Sequence, residues 1–327
     1  MKEPSYTQAL RESWRLTWEH KSLWSFGLFA LLLGQLGITE LLFKVGLSSR
    51  TGEIGGLWKY GFALLDPTNW KELLSYVAPN AESIMSFVWL IVVLVGLAAV
   101  LLFVAVVCQG AIIHAAAKYT KSSRDLPSEA DAWHTSVKHF WTLLGLNVLR
   151  KLVLFVTALA VAWGAIYGAV NPGAGSLVFL LTVIFAVLIG IVLSILLVYA
   201  SGYVLEEEYT FIESITAATH LLSDHWLVSL EVGVMLLFMN LVLLVLLFGG
   251  LIYLFFLPIL IGANLGAMLG SAEVVRAGGL FGYMLFGLYA VTLLSVFTVF
   301  TNTTWTYLFM KMHKHGLASR IKHLFRK

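Results

Sequence analysis

The sequence predicts an all-α integral membrane protein with about six transmembrane helices. Three observations carry that prediction. Apolar residues make up 59% of the 327-residue chain and charged residues only 12%, whereas a soluble domain carries about 25% charged residues. Mean hydropathy is +0.88. The apolar residues also come in blocks of about 20 or more, the length that crosses about 30 Å of hydrocarbon at 1.5 Å per residue. There is too little charge here to coat a soluble core of this size. Cys108 is the single cysteine and lies in an apolar run, so no intramolecular disulfide and no cysteine metal site is expected.

The spans follow in order. Residues 1–23 read as a polar, amphipathic helix. Ala9, Leu10, Trp14, Leu16, Thr17 and Trp18 recur at helical spacing, with Arg11, Glu12, Arg15 and Glu19 between them. The first span covers about 24–43. It lacks a clear small-residue cleavage site after a short apolar stretch, so it is read as retained rather than as a cleaved signal. A polar, glycine- and tryptophan-containing stretch separates it from the second span, about 83–114.

The third span is about 141–170 and the fourth about 177–205, joined by the uncharged turn Asn171-Pro172-Gly173-Ala174-Gly175-Ser176. A fifth span, about 226–249, and a sixth, about 279–310, complete the set. Residues 250–278 are expected to be re-entrant or to lie on the outer interface, with Pro258 ending the long helix. Residues 1–310 then form one transmembrane domain, and 311–327 a basic amphipathic cytoplasmic tail.

Charge placement sets the count and the orientation. With the N-terminus inside and six spans, only Lys44, Arg50, Lys59, Lys71 and Arg276 fall outside. The other 16 of the 21 Lys and Arg stay in the cytoplasm. A seventh span would export the six basic residues of the tail, against the positive-inside rule. Both termini are therefore expected in the cytoplasm, at the inner membrane of a prokaryote.

Three segments share a pattern: QALRESWRLTWEHKSLWSFGLF, SEADAWHTSVKHFWTLLGLNVL and FIESITAATHLLSDHWLVSLEV. Each carries a carboxylate (Glu12, Glu129, Glu213), then a histidine (His20, His139, His225) just before a tryptophan (Trp24, Trp141, Trp226), then a leucine-rich run. A threefold parallel repeat of amphipathic helix plus helical hairpin explains them. So does convergence, because any interfacial helix entering a bilayer gathers such residues at its boundary.

At these same segments, and in VLEEEYTFIESITAATHLLSDHWLVSLEV, the chain resembles a group of bacterial and archaeal multi-span proteins. The group includes the membrane domain fused to some glycerophosphoryl diester phosphodiesterases and related domains of unknown function. The resemblance covers most of the chain at the level of pattern, through degenerate motifs. Enzymatic members carry a separate soluble hydrolase domain, for which this chain has no room. The resemblance therefore implies a membrane fold and no catalytic residue.

No phosphate-binding glycine loop, H-E-x-x-H pair or G-x-S-x-G elbow occurs. His134 and His139 with Glu129 and Asp131 could line up as metal ligands, but solvated boundary residues are the better reading. No cofactor or metal is expected. Charges buried in a bilayer flag function. Glu40, Arg150, Lys151 and Glu231 all fall near a span end, where snorkelling accounts for them. Asn240, with Glu231, is the candidate intramembrane polar site. Asn240 is expected to hydrogen-bond between helices in preference to Asn147.

Gly262, Gly266 and Gly270 form one small-residue stripe at spacing four, and Gly164 and Gly168 a shorter one. Both are read as helix-packing faces, with a homo-oligomer contact as the rival. In the tail, Lys314, Arg320, Lys322, Arg326 and Lys327 surround an apolar face and are expected to meet anionic lipid headgroups rather than nucleic acid. Asn302-Thr303-Thr304 matches a glycosylation acceptor but lies within a span. The leading functional expectation is a non-enzymatic scaffold or accessory membrane subunit, with a partner membrane protein. A small-solute or lipid transporter and a membrane-embedded lipid-modifying enzyme, using His134, His139 and Glu129, are the alternatives.

Overall fold

The computed structural model describes residues 6–33, 81–121, 127–171 and 173–315. Helices α1 (Tyr6–Glu19) and α2 (Leu23–Ala30) open the chain, and a short 3₁₀ turn, Leu31–Leu33, follows. Next come α3 (Ala81–Lys121), α4 (Glu129–Lys138), α5 (Phe140–Val170) and α6 (Ala174–Glu206). The chain continues through α7 (Phe211–Asp224), α8 (Trp226–Gly250), a π-helical segment (Leu251–Phe256), α9 (Leu257–Leu269) and α10 (Ala272–His315). No strand occurs among the described residues.

Five of these helices are long and apolar enough to cross a membrane: Met85–Lys121, Phe140–Gly168, Gly175–Glu206, Trp226–Leu269 and Ala272–His313. The chain is an all-α multi-pass membrane protein. Leu23–Leu33 is a shorter apolar helix; the second half of the expected first span, with Glu40, lies outside the described residues, as do tail residues 316–327. Lys314 falls in the last turn of α10.

Contacts divide the chain into two units. The first gathers the described parts of Met1–Gln35, Ala105–Arg150 and Leu193–Lys327; the second those of Leu36–Val104 and Lys151–Val192. Within the second, α5 and α6 form a hairpin closed by the Asn171 turn, where the Gly175 N–H donates to the Asn171 carbonyl at 2.9 Å. Gly173 takes φ +101°, which only glycine adopts without strain. Gly164 and Gly168 face this partner: a methyl on Gly164 would strike the Thr182 hydroxyl, and one on Gly168 would lie 3.0 Å from the Gly175 carbonyl.

The axis of the first unit is the last third of α10. Residues 302–310 are all buried, more than two helical turns without an exposed face. Several are polar, and each described bond returns to the helix itself. Asn302 Nδ2 donates to the Thr298 carbonyl, and the hydroxyls of Thr303, Thr304 and Thr306 donate to the carbonyls of Val299, Phe300 and Asn302, all at 2.8 Å. That pattern satisfies a polar side chain where water is absent. It also places Asn302 and Thr304 where no glycosylating enzyme could reach them.

Neighbouring helices approach this axis at glycines. A methyl on Gly202 of α6 would sit 2.8 Å from the Phe309 ring, and one on Gly27 of α2 would sit 2.6 Å from the Ser295 carbonyl. Ser295 Oγ donates to the Trp24 carbonyl at 2.5 Å.

Pro258 does not end the long helix. A proline removes one backbone N–H, and its ring presses on the carbonyl four residues back. Here the π segment sits immediately upstream, and Pro258 falls in the first turn of α9, where that N–H is not needed. The helix therefore runs on to Leu269. Gly270 ends it in the left-handed region at φ 61°, ψ 23°, and the Ser271 N–H reaches back 2.9 Å to the Gly266 carbonyl. The glycine stripe thus divides by role. A methyl on Gly262 would come 2.9 Å from the Gly278 Cα, and one on Gly266 would come 2.9 Å from the Ser271 carbonyl, whereas Gly270 terminates the helix.

Gly262→Ala should lower the thermal midpoint of the detergent-solubilised protein, as overpacking costs about 1–3 kcal/mol. Gly249→Ala, where an added methyl meets nothing within 4 Å, should leave it unchanged or raised. Equal shifts would refute the α9–α10 close approach.

Candidate functional site

Three short helices, α1, α4 and α7, gather at the end of the first unit where α3, α6 and α10 finish. Each is followed closely by another apolar helix after a turn at a histidine: His20 before α2, His139 before α5 and His225 before α8. Each buries small residues at spacing four: Ala9, Ser13 and Thr17; Ala132 and Ser136; Ser214 and Ala218. Small side chains let these helices lie close. A methyl on Gly110 of α3 would come within 2.9 Å of Ser136 Oγ. The tryptophans face outward instead, with Trp14, Trp18, Trp141 and Trp226 all exposed.

Two of the three begin with a reciprocal cap. Ser128 Oγ accepts from the Asp131 N–H at 3.1 Å. At α7 the Glu213 carboxylate accepts from both the N–H and the hydroxyl of Thr210, at 3.0 and 2.7 Å. These bonds stabilise the ionised carboxylates and hold Asp131 below its usual 3.8 and Glu213 below its usual 4.5.

Between α6 and α7 runs Glu206-Glu207-Glu208, and its three carboxylates go three ways. Glu206, only 6% exposed in its side chain, pairs with Lys121 and lies 3.5 Å from His114 Nδ1, both on α3. Glu207 meets His313 Nε2 of α10 at 3.4 Å. Glu208 pairs with Lys138 of α4 at 2.5 Å, which holds its carboxyl below the usual 4.5. Glu208 has φ 55°, a left-handed turn unusual for a side-chain-bearing residue, and it aims successive carboxylates apart. Behind the collar, the Tyr203 ring stacks on Tyr209 at 5.5 Å and meets Phe309 edge-on at 4.9 Å. Tyr199 reaches Ser229 Oγ of α8 at 2.9 Å.

A groove of about 290 Å3 opens on the same unit, walled by α8, α10 and the α1–α2 corner. Met239, Leu243 and Leu246 form one wall and Tyr289, Val296 and Phe300 the other. Trp14, Trp18 and Trp24 close one end as a continuous ring cluster, with Trp18–Trp24 centroids 5.2 Å apart and Trp14–Phe300 5.6 Å apart.

Compared with known proteins, the chain matches no family model, no curated protein and no solved structure.

The residues singled out from sequence are dispersed. Asn240 lies on α8, and its described bond runs to the Leu236 carbonyl of its own helix at 2.8 Å. Asn147 makes a bond across helices, donating to Gln109 Oε1 of α3 at 2.9 Å. Glu231 is half-buried on α8. Arg150, expected to snorkel, is instead buried in the fold at 8% exposure, while Lys151 is exposed. Its guanidinium is held among packed helices rather than carried to water. His139 Nδ1 lies 3.0 Å from the Thr135 carbonyl, and Asp131 sits in the first turn of α4, its N–H donating to the Ser128 cap. No cluster of three metal-ligating side chains occurs among the described residues.

Sequence reading missed the collar as a junction. Its signal was present: three consecutive acids directly after an apolar span, with Lys121 and Lys138 flanking another connection.

Glu206→Gln should destabilise the protein by about 1.5–3 kcal/mol, the range for hydrogen bonds to a charged group, read as a lower thermal midpoint in detergent. An unchanged midpoint would refute the collar. Separately, Asp131, Glu208 and Glu213 have depressed folded values, so they stabilise fully above their usual 3.8–4.5 and progressively less as pH falls through those folded values. The midpoint should decline below about pH 4.5, and Glu208→Gln should shallow that decline.

Proposed function

We propose that this protein is a non-enzymatic scaffold or accessory subunit of a prokaryotic inner membrane, spanning it six times with both termini in the cytoplasm. One observation carries the reading: the axis of the first unit is filled by side chains, residues 302–310 of α10 being buried on every face. A transport path would need that axis to open to water. Here it is occupied by Thr and Asn side chains bonded to their own helix and by Phe309 beneath Tyr199.

The orientation rests on the positive-inside distribution of Lys and Arg. On this reading α1, α4 and α7 are amphipathic helices at the cytoplasmic interface, with exposed indoles in the headgroup layer. Their shared burial of small residues supports a threefold repeat of short helix plus hairpin. The basic tail would lie on anionic headgroups through Lys314, Arg320, Lys322, Arg326 and Lys327. Residues 250–278 would form the outer tip of the α9–α10 hairpin. The resemblance to the membrane domain of glycerophosphoryl diester phosphodiesterases fits such a free-standing, non-catalytic membrane module.

Purification of the tagged full chain in native-lipid nanodiscs, followed by mass spectrometry, tests the proposal. A membrane protein recovered at fixed stoichiometry is the expected result. A solitary chain carrying a water-soluble solute would overturn it.

A further inference from the structure

Beyond that reading, we propose that the groove between α8 and α10 is a site for one acyl chain of a glycerophospholipid, entering from the leaflet at its tryptophan end. Length points to this occupant. Along α10 the lining runs from Tyr289 to Phe300, about 17 Å at the helical rise. That is close to half of the roughly 30 Å hydrocarbon core, the depth of a single leaflet. A partner's transmembrane helix would need a seam through both leaflets.

The lining is also prepared for hydrocarbon. Three of its side chains turn their polar atoms into the protein: Tyr289 donates to the Leu246 carbonyl at 3.0 Å, Thr292 to the Leu288 carbonyl at 2.8 Å and Trp24 Nε1 to the Thr17 carbonyl at 2.8 Å. The surface left to the occupant is methyl, methylene and ring face. At the other end the chemistry changes. At 100° per residue, Arg11 and Arg15 share the exposed side of α1 with Trp14 and Trp18, opposite buried Ala9, Ser13 and Leu16. Arg15 is paired with Glu19 at 2.6 Å. Arg11 stands beside the indoles, where a phosphate at the top of the seated chain would meet it. Apolar slot, indole collar and guanidinium follow in the order of a phospholipid's own parts.

The test uses the full chain, purified in mild detergent and read by native mass spectrometry. Wild type should retain one phospholipid through delipidating washes. Val242→Trp and Thr292→Trp place an indole in the slot from exposed positions, so the fold should survive, with an unchanged thermal midpoint as the check. Each should reduce the retained lipid at least tenfold, and Arg11→Gln should shift retention away from anionic headgroups. Val245→Trp, exposed on α8 outside the groove, should retain lipid as wild type does. Equal retention by wild type and both filled variants would overturn the proposal. So would a wild type that carries no lipid, or a protein adduct that Val242→Trp displaces in place of a lipid.

Discussion

Enclosure of α10 between residues 302 and 310 is the constraint on which the first unit depends. A segment buried on every side must satisfy its polar groups internally, because neither lipid nor packed side chains supply partners. Asn302, Thr303, Thr304 and Thr306 do so one turn at a time, each bonding to the carbonyl four residues earlier. With those bonds closed, the outer surface of the helix presents methyls and rings. Glycines 27 and 202 bring α2 and α6 against it at backbone distance. Close approach replaces the hydrophobic drive that helices lack in hydrocarbon.

The collar acts at the level where water returns. Glu206, Glu207 and Glu208 tie α6 to α3, α10 and α4 through two lysines and two histidines. Exposed pairs of this type are individually weak. Glu206 differs because its carboxylate is nearly enclosed, so losing its partners would strand a charge. Ends of helices are thereby pinned by charge, and their middles by small-residue contact.

Much of this was legible in the chain. Hydropathy and span length marked the apolar segments from Ser83 onward, because a bilayer imposes its thickness on any helix that crosses it. The short helices before Trp24, Trp141 and Trp226 were visible in their spacing. Partner choice was not visible. Asn147 bonds both the Leu143 carbonyl of its own helix and Gln109 of α3, and only the spacing of the first of these can be read along the chain. Pro258 reads locally as a break, and the π segment that accommodates it has no sequence signature as plain as the proline itself.

By itself, then, the amino-acid order determined a multi-span helical protein and the sites where its helices start, since those follow from local periodicity, capping chemistry and the length needed to cross a bilayer. Only the tertiary structure decided which faces meet: the burial of α10, the divergence of the three glutamates, the split roles of Gly262, Gly266 and Gly270, and the groove beside the tryptophans. These depend on side chains far apart in the chain arriving at one place, which no local pattern encodes.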